Sequence, residues 1–263
     1  MFLLSFNAFK HRSIFAVFLA IFLLFGAVKG TKAQESNGSA FDGLENLVGI
    51  SAKDMADYAQ KGKHGIFPTD KDKIFFLYNV KTGLLLNVGG YWGTHVSLQE
   101  YGMPLWVYAD GDWIHFQQDI DKQSTSSGEG CSLEYFYDAN NTGAAAVNNG
   151  VFVDRDIYAS NSSSTVIQRG WKIVPIEGDD KNTFRIYTYR RSTSGYTGDN
   201  YDRYYLSAAA SQGDVDKNCG AFLTTDKDYS DEGSKWRIFS YQQLYDLQTN
   251  SIGFKSSLDL SFK

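Results

Sequence analysis

Four pairs of acidic residues stand out, because two carboxylates that face one sugar are the catalytic groups of a glycosidase. The pairs are Asp154 and Asp156, Asp179 and Asp180, Asp214 and Asp216, and Asp226 and Asp228. Acids so close together in loops are more often solvated, or cap a turn through their side-chain oxygens. The spacing therefore favours turns over a catalytic acid and base.

Histidine is the usual base of a hydrolytic triad, and the chain after residue 33 has three: His64, His95 and His115. No G-x-S-x-G nucleophile motif accompanies them, and His115 lies in an alternating, strand-like run. Cys131 and Cys219 lack the flanking residues of a thiol protease. These absences predict a protein that is not an enzyme, with an uncharacterised hydrolase as the least favoured alternative.

The segment "GDVDKNCG" is the nearest approach to a metal-binding loop. Asp214, Asp216 and Asn218 have the 1, 3, 5 spacing of a calcium loop. The glycine required at position 6 is replaced by Cys219, and position 12 is Thr225 instead of glutamate. We therefore expect a solvated turn here, and no metal or other cofactor.

A glycine-rich loop, GGYWG, lies within "LLLNVGGYWGTHVSLQEYG", residues 84–102. It lacks the lysine of a phosphate-binding loop, and the run after it alternates as a strand does. An aromatic ring on a hairpin with polar neighbours is suited to the C–H face of a sugar. The candidate ligand-binding residues are Tyr91, Trp92, Asn87, Thr94 and Gln99. The alternative is that Trp92 fills the hydrophobic core.

A second candidate patch is "RRSTSGYTGDNYDR", residues 190–203, in which Tyr196 and Tyr201 stand among Gly, Ser, Thr, Asp and Arg. Loops of this composition are typical of adaptable recognition surfaces. An ordinary long loop has the same composition, so both interpretations stay open.

The elements that must position these residues are short apolar runs, which begin near Lys73 and are separated by Gly, Asn, Asp and Ser. This texture predicts an all-β sandwich or barrel. The runs cover 74–80, 84–88, 95–99, 105–109, 113–117, 132–137, 151–154, 166–176, 183–189, 204–208, 221–225 and 236–241.

A repeat is visible in these twelve runs. Trp106, Trp171 and Trp236 are 65 residues apart, and each closes a set of four runs. Three sets of four strands predict a β-trefoil, in which three similar large residues fill a pseudo-threefold core. The sets differ in length, and a two-sheet sandwich of twelve strands is the alternative.

The N-terminal segment has the pattern of a secretory signal peptide. Lys10 and Arg12 precede an apolar run, 14–28, and small or polar residues follow, with cleavage expected after Gly30 or Ala33. The run is shorter than the roughly 20 residues that span a bilayer, which disfavours the alternative of a membrane anchor. We expect an exported protein of the periplasm, the cell surface or the medium, not inserted in the membrane after cleavage.

Export and cleavage affect how the charge and the two cysteines are interpreted. Without residues 1–33 the chain has 21 basic and 30 acidic residues, a formal net charge of −9. Nucleic acid and anionic membranes are therefore unfavourable partners, since both need a basic surface. An exported chain can form a disulfide between Cys131 and Cys219, although two separate buried thiols are equally compatible with the sequence.

The flanks of the predicted trefoil are short. Residues 34–72 read as a linker with one helix, which Ser51 caps and Gly62 ends. The trefoil covers 73–244 and is followed by a helical turn or two over 242–250. Within 245–263, a linker or the start of a following domain, the alternating strand 258–262 predicts a downstream domain, unless it folds back onto the trefoil.

The segments "FFLYNVKTGLLLNVGGYWGTHVSLQEYGMPL", "WKIVPI", "NTFRIYT", "RYYLSAA" and "KWRIFS" resemble the ricin-B-like β-trefoil modules of exported Bacteroidetes proteins. The resemblance covers about residues 70–244. It implies a binding or adhesion role, usually towards glycans, and a following all-β domain. None of the three closing tryptophans has the family's Q-x-W motif, so the family's sugar-binding positions and specificity are not implied.

Together these patterns predict an exported, carbohydrate-binding, lectin-like module without catalytic activity. Its partner would be a glycan or a cell-surface polysaccharide, in a chain with a downstream domain. The alternatives are a protein-interaction or adhesion and assembly module that binds no sugar, and a trefoil of the protease-inhibitor type.

Overall fold

A computed structural model describes residues 43–88, 96–118, 131–138, 150–155, 165–191, 201–208, 221–225 and 232–250. All of them belong to one compact unit, Gly38–Lys263. The expected signal peptide, 1–33, and the expected strand at 258–262 lie outside the described residues.

The described chain is mainly antiparallel β-structure, which confirms the all-β class. Each of the twelve predicted runs contains a strand, and the run 166–176 contains two, separated at Arg169 and Gly170. The strands are β1 (Phe75–Asn79), β2 (Leu84–Val88), β3 (Val96–Gln99), β4 (Trp106–Asp110), β5 (Trp113–Gln118), β6 (Cys131–Asp138), β7 (Gly150–Arg155), β8 (Thr165–Gln168), β9 (Lys172–Pro175), β10 (Phe184–Arg191), β11 (Tyr201–Ala208), β12 (Ala221–Thr225) and β13 (Trp236–Ser240).

The strands form two sheets. In the first, of eight strands, the order is β12-β11-β10-β13-β1-β2-β3, and β9 also pairs with β10. In the second, of five strands, the order is β4-β5-β6-β7, and β8 pairs with β6. Two isolated antiparallel bridges, Phe75 with Leu105 and Ile114 with Trp171, join one sheet to the other.

The largest core cluster contains side chains from both sheets, among them Phe75, Phe116, Phe184, Trp171 and Trp236. Each of these five is at most 1% exposed. Because successive residues of a strand point to opposite faces, the cluster takes alternate residues of a strand, such as Phe75 and Leu77 of β1 or Phe184 and Ile186 of β10.

The predicted equivalence of Trp106, Trp171 and Trp236 is wrong by one residue in the first set. Trp171 bridges Ile114 and Trp236 pairs with Phe184, but the residue that bridges Phe75 is Leu105. The side chain of the next residue, Trp106, points the other way, and its ring meets Phe67 edge-on at 5.2 Å between centroids.

The two deeply buried tryptophans make the same hydrogen bond. The indole Nε1–H of Trp171 donates to the Leu133 carbonyl at 2.8 Å, and that of Trp236 donates to the Leu206 carbonyl at 2.8 Å. In the first set the Leu86 carbonyl accepts instead from the backbone N–H of Met103, at 2.9 Å.

Helix α1 (Ala52–Lys61) confirms the predicted helix. The Ser51 hydroxyl accepts the backbone N–H of Asp54 at 3.1 Å, as an N-cap does. Met55 and Ala59 enter the core cluster, so α1 lies against the sheets. Gly62 follows the helix with an ordinary φ of −71°, but a Cβ there would overlap the carbonyl of Val107 in β4. Close approach to β4 therefore requires glycine at this position.

Helix α2 (Tyr241–Asn250) confirms the helical turns expected after the last strand. Ser240 and Gln243 form a reciprocal capping pair, with the Ser240 N–H donating to Gln243 Oε1 at 2.9 Å and the Gln243 N–H donating to Ser240 Oγ at 3.2 Å. Leu244 packs α2 into a second cluster with Leu44 and Phe239. Neither helix in the described part of the chain is long and apolar enough to cross a membrane.

Candidate functional site

A cleft of about 390 Å³ lies between α1 and the strands β4, β5 and β9. Three alanines of α1 form one wall, and the side chains around the β4–β5 turn and the start of β9 form the other. The residues that line the cleft include Ala52, Ala56, Ala59, Gln60, Asp112, Trp113, Ile114, Trp171 and Lys172. Small helix side chains opposite an aromatic wall leave room for a ligand.

The rim of this cleft is shaped by the two-residue loop between β4 and β5. Asp110 pairs with Trp113 across the loop, and the first loop residue, Gly111, has a φ of +56°. This is the geometry of a type II′ hairpin turn, which requires glycine at that position. The turn leaves the second loop residue, Asp112, with a side chain that is 96% exposed.

Trp113 is half-buried and its ring is held on several sides. A Cβ on Gly170 would come within 3.0 Å of three Trp113 atoms, so only glycine lets the indole rest so closely on this backbone. Lys172 Nζ lies 4.7 Å from the ring centroid and donates to the Asp112 carbonyl at 2.5 Å. The Lys172 ammonium is also 3.9 Å from the Asp112 carboxylate. A fixed aromatic ring thus has a carboxylate and an ammonium beside it.

The outward side of β10 and β11 continues from Trp113. Tyr187 pairs with Tyr205, and Tyr189 pairs with Arg203, so these four side chains share one side of the sheet. We call them the tyrosine face. Thr188, which lies between Tyr187 and Tyr189, is 0% exposed on the core side, as are Ile186 and Leu206, which are next to Tyr187 and Tyr205 along the chain.

Ring contacts make the tyrosine face continuous with the cleft. The Trp113 and Tyr189 centroids are 5.6 Å apart in an edge-on contact, and those of Tyr189 and Tyr187 are 5.5 Å apart. Tyr187 in turn lies 5.5 Å from Tyr205. Such spacings are typical of favourable aromatic pairs.

Arg203 is the exposed cation of the tyrosine face. Its guanidinium is hydrogen-bonded to the hydroxyls of Tyr205 and Tyr189, which raises the pKa of Arg203. The guanidinium also lies 5.3 Å from the ring centroid of Tyr187. Burial, and next a hydrogen bond with Tyr189, raise the pKa of Tyr187 to about 12. At neutral pH Tyr187 is therefore an uncharged phenol, and it lies beside the charged guanidinium of Arg203.

The predicted hairpin residues Asn87 and Gln99 lie on adjacent strands, β2 and β3, and their amides bond to the hairpin itself. Asn87 Nδ2 donates to the Tyr101 carbonyl at 2.9 Å, and Asn87 Oδ1 accepts from the Val88 N–H at 2.7 Å. Gln99 Nε2 donates to Ser97 Oγ at 2.7 Å and to the Val88 carbonyl at 3.2 Å. Asn87 is only 9% exposed, so these contacts fix the two strands together.

Of the other predicted site residues, the structure describes only the backbones of two. Tyr91, Trp92, Thr94, Tyr196 and Cys219 lie outside the described residues. Tyr201 lies in β11 opposite Arg191, and Cys131 lies in β6 opposite Gln118, by their backbones alone. The sugar platform at the hairpin tip, the patch at 190–203 and the Cys131–Cys219 disulfide therefore stay predictions.

The two histidines of the described regions, and Asp179 among their acids, have structural contacts. His115 stacks on Tyr108 at 4.6 Å, and His64 meets the same ring edge-on at 5.2 Å. Asp179 accepts the backbone N–H groups of Thr183 at 2.6 Å and Lys181 at 3.1 Å. Burial opposes ionisation of Asp179, but these hydrogen bonds outweigh it and lower its pKa. Asp179 thus caps a turn, as expected for that acidic pair.

No group of three or more His, Cys, Asp and Glu side chains that could hold a metal ion is present within the described ranges. The sequence interpretation did not single out Trp113, Tyr187 or Tyr189, and it included Arg203 only as the last residue of the patch at 190–203. Their signal is alternation: the tyrosines of "RIYTYR" occupy every second position, opposite a face whose residues are apolar or small.

The sequence was compared with protein-family models and with curated proteins. No family model matches the sequence, and no curated protein matches it.

Proposed function

We propose that the chain is a carbohydrate-binding, lectin-like β-trefoil module that is exported and has no catalytic activity of its own. The ligand is a glycan or a cell-surface polysaccharide, bound at the cleft beside Trp113. Export, a downstream domain and adhesion remain predictions from the sequence.

The strand pairings support the trefoil. Ladders or bridges join β1 to β4, β4 to β5, β5 to β9, β9 to β10, β10 to β13 and β13 back to β1. A trefoil needs six strands paired in such a ring, with three hairpins attached. The hairpins β2–β3, β6–β7 and β11–β12 have that relation to the ring.

Repeated contacts support it as well. The carbonyls of Leu86, Leu133 and Leu206 each accept one hydrogen bond from the closing segment of their own set. All three leucines are 0% exposed and share one core cluster. Three related contacts in one core are expected of a pseudo-threefold fold.

The half-buried indole of Trp113 is the observation that carries the proposed binding function. Sugar rings present C–H groups that pack on aromatic faces, while their hydroxyls need a few polar partners. Asp112, Lys172 and Gln60 line the same cleft and supply a carboxylate, an ammonium and an amide. The cleft volume is within the range of small-ligand sites, roughly 300 to 1,000 Å³.

Preorganisation of the ring favours binding. Because Gly170, Lys172 and Tyr189 already hold Trp113, a ligand does not have to order it, and less side-chain entropy is lost on association.

A glycan array with matched variants tests the proposal. Ala56 is exposed and lines the cleft, so Ala56→Trp fills the cleft while leaving the core side chains of α1 unchanged. We expect Ala56→Trp and Trp113→Ala to abolish a signal that the wild type gives. Asp57→Trp, an exposed α1 position that does not line the cleft, and Tyr245→Ala, an exposed aromatic on α2, should keep the signal.

Two other results of this experiment would change the conclusion. A signal lost in Trp92→Ala but retained in Ala56→Trp would move the site to the hairpin tip at Tyr91 and Trp92. Absence of any glycan signal from the folded wild type would contradict the proposal and favour the protein-interaction module.

A further inference from the structure

Among the four arginines whose side chains the structure describes, Arg203 is the exposed one; Arg185, for example, is partly buried and its Nε donates to Ser234 Oγ at 3.1 Å. Arg169 bonds to the Glu134 carboxylate at 3.1 Å. Arg237 is 7% exposed and donates to Thr183 and to the Glu45 carbonyl. Arg203 is exposed, and within the described part of the chain no carboxylate pairs with it.

The partners of Arg203 orient its guanidinium without neutralising it. The hydroxyls of Tyr205 and Tyr189 accept hydrogen bonds from the guanidinium, and the ring of Tyr187 lies beneath it. A guanidinium has five N–H donors in a planar fork, so two phenol partners leave donors for a ligand. That fork matches the two oxygens of a carboxylate or sulfate group.

The neighbouring cation, Lys172, is already matched. Its ammonium donates to the Asp112 carbonyl and lies 3.9 Å from the Asp112 carboxylate. The cleft itself therefore has little excess positive charge, and Arg203, at the far side of the tyrosine face, is a cation that no carboxylate of the described residues pairs with.

We propose that this site prefers an acidic glycan, whose carboxylate or sulfate group binds Arg203 while a neighbouring sugar rests on Trp113. The inference depends on the proposed glycan-binding function. Trp113 and Arg203 are connected through Tyr189, whose ring contacts Trp113 at 5.6 Å between centroids and whose hydroxyl is hydrogen-bonded to Arg203.

Because the chain is negatively charged overall, binding of an acidic glycan would depend on the contact with Arg203 and not on a general attraction. The chain has a formal net charge of −5, so it repels polyanions in general. An acidic glycan would bind because one oriented guanidinium meets one oxyanion, and nucleic acid, which requires a broad basic surface, would not.

The experiment compares charged glycans with their neutral counterparts. The first pair is an oligogalacturonate and its methyl ester, which differ in free carboxylates. The second is a sulfated galactan oligosaccharide and its desulfated form. We expect the wild type to bind the charged member of at least one pair about tenfold or more tightly, as a charge-assisted bidentate contact would allow. The pair that responds identifies the group.

Variants assign the preference to Arg203. Arg203→Gln should reduce binding of the charged glycan to the level of its neutral counterpart and leave binding of the neutral one unchanged. Arg203→Lys should recover only part of the preference, because an ammonium lacks the planar fork. Lys81→Gln removes the same charge from the exposed turn after β1 and should change nothing. Urea unfolding of each variant verifies that it is folded.

The outcomes separate the inference from the function on which it rests. Equal binding of charged and neutral glycans by the wild type would overturn the inference and leave the proposed function standing. The same conclusion holds if Arg203→Gln weakens both members of a pair equally. Failure of the folded wild type to bind any glycan would overturn both.

Discussion

Tyr187 is a residue whose ionisation should affect stability at alkaline pH. It is 8% exposed, and its pKa is raised to about 12, first by burial and then by the hydrogen bond with Tyr189. In the unfolded chain a tyrosine titrates near pH 10. Between about pH 10 and 12 the native state therefore holds a proton that the unfolded state has lost, and stability falls as the pH rises through this window.

Tyr187→Phe removes that proton, so we expect the free energy of unfolding to fall less steeply between about pH 10 and 12 than in the wild type. Below pH 10 the slope should be the same in both. Urea unfolding at one-unit pH intervals measures this, and Tyr245→Phe, which deletes an exposed phenol on α2, is the control. Parallel curves for Tyr187→Phe and the wild type would contradict the prediction.

For a single residue, a sequence pattern indicates that its side chain could bind a ligand, but not whether it does so in the folded protein. Asn87 and Gln99 were reasonable ligand candidates, because amides beside an aromatic loop suit sugar hydroxyls. The structure gives both amides partners within the hairpin, at 2.7 to 3.2 Å. Whether an amide meets a backbone group or a ligand depends on side-chain geometry that a linear pattern does not contain.

Among the elements, α1 offers the sharpest prediction. Gly62 has a φ that alanine adopts readily, and at an open position such a replacement would stabilise the protein by about 0.4 to 1 kcal/mol. Here the new Cβ would overlap the Val107 carbonyl, so Gly62→Ala should destabilise by about 1 to 3 kcal/mol. Urea unfolding tests the sign, and a stabilised Gly62→Ala would refute the close packing of α1 on β4.

Ser51→Ala provides a comparison on the same helix. It removes the cap of α1 and should cost about 1 kcal/mol, but it places no atom against β4.

The elements themselves were largely predictable, since alternation, turn residues and caps are local signals. Ser51 and Gly62 mark the ends of α1, and Ser240 with Gln243 provides a capping signal for α2 that the sequence interpretation did not use. The interruption between β8 and β9 was not predictable. It occurs where Gly170 contacts Trp113, a residue more than fifty positions earlier.

For the whole molecule, the proposed pseudo-threefold arrangement makes a comparative prediction about three tryptophans. Trp171 and Trp236 each donate an indole hydrogen bond to a buried carbonyl. The indole N–H of Trp106 is buried but has no partner within the described part of the chain. Replacing each by phenylalanine deletes the same atoms, so differences between the variants report the hydrogen bond.

We expect Trp171→Phe and Trp236→Phe each to lose about 1 to 3 kcal/mol more stability than Trp106→Phe, because each leaves a buried carbonyl unsatisfied. Equilibrium unfolding monitored by far-ultraviolet circular dichroism is suitable, since it does not rely on tryptophan fluorescence. Equal losses in all three variants would contradict the different roles assigned to them.

The all-β class was predictable from the sequence, but the pairing of distant strands was not. The equal spacing of Trp106, Trp171 and Trp236 suggested three equivalent positions, yet Leu105 occupies the first. A shift of one residue reverses which face of a strand is buried, and only the partner strand determines that choice.

The contact between Trp113 and Gly170 has a consequence for how the sequence can change over time. A side chain at Gly170 would displace the indole, because the three atoms nearest to an added Cβ all belong to Trp113, and losing the indole would remove this contact. The two positions should therefore vary together in related chains: a lineage that keeps the aromatic ring keeps the glycine, and one that loses either is released from both constraints.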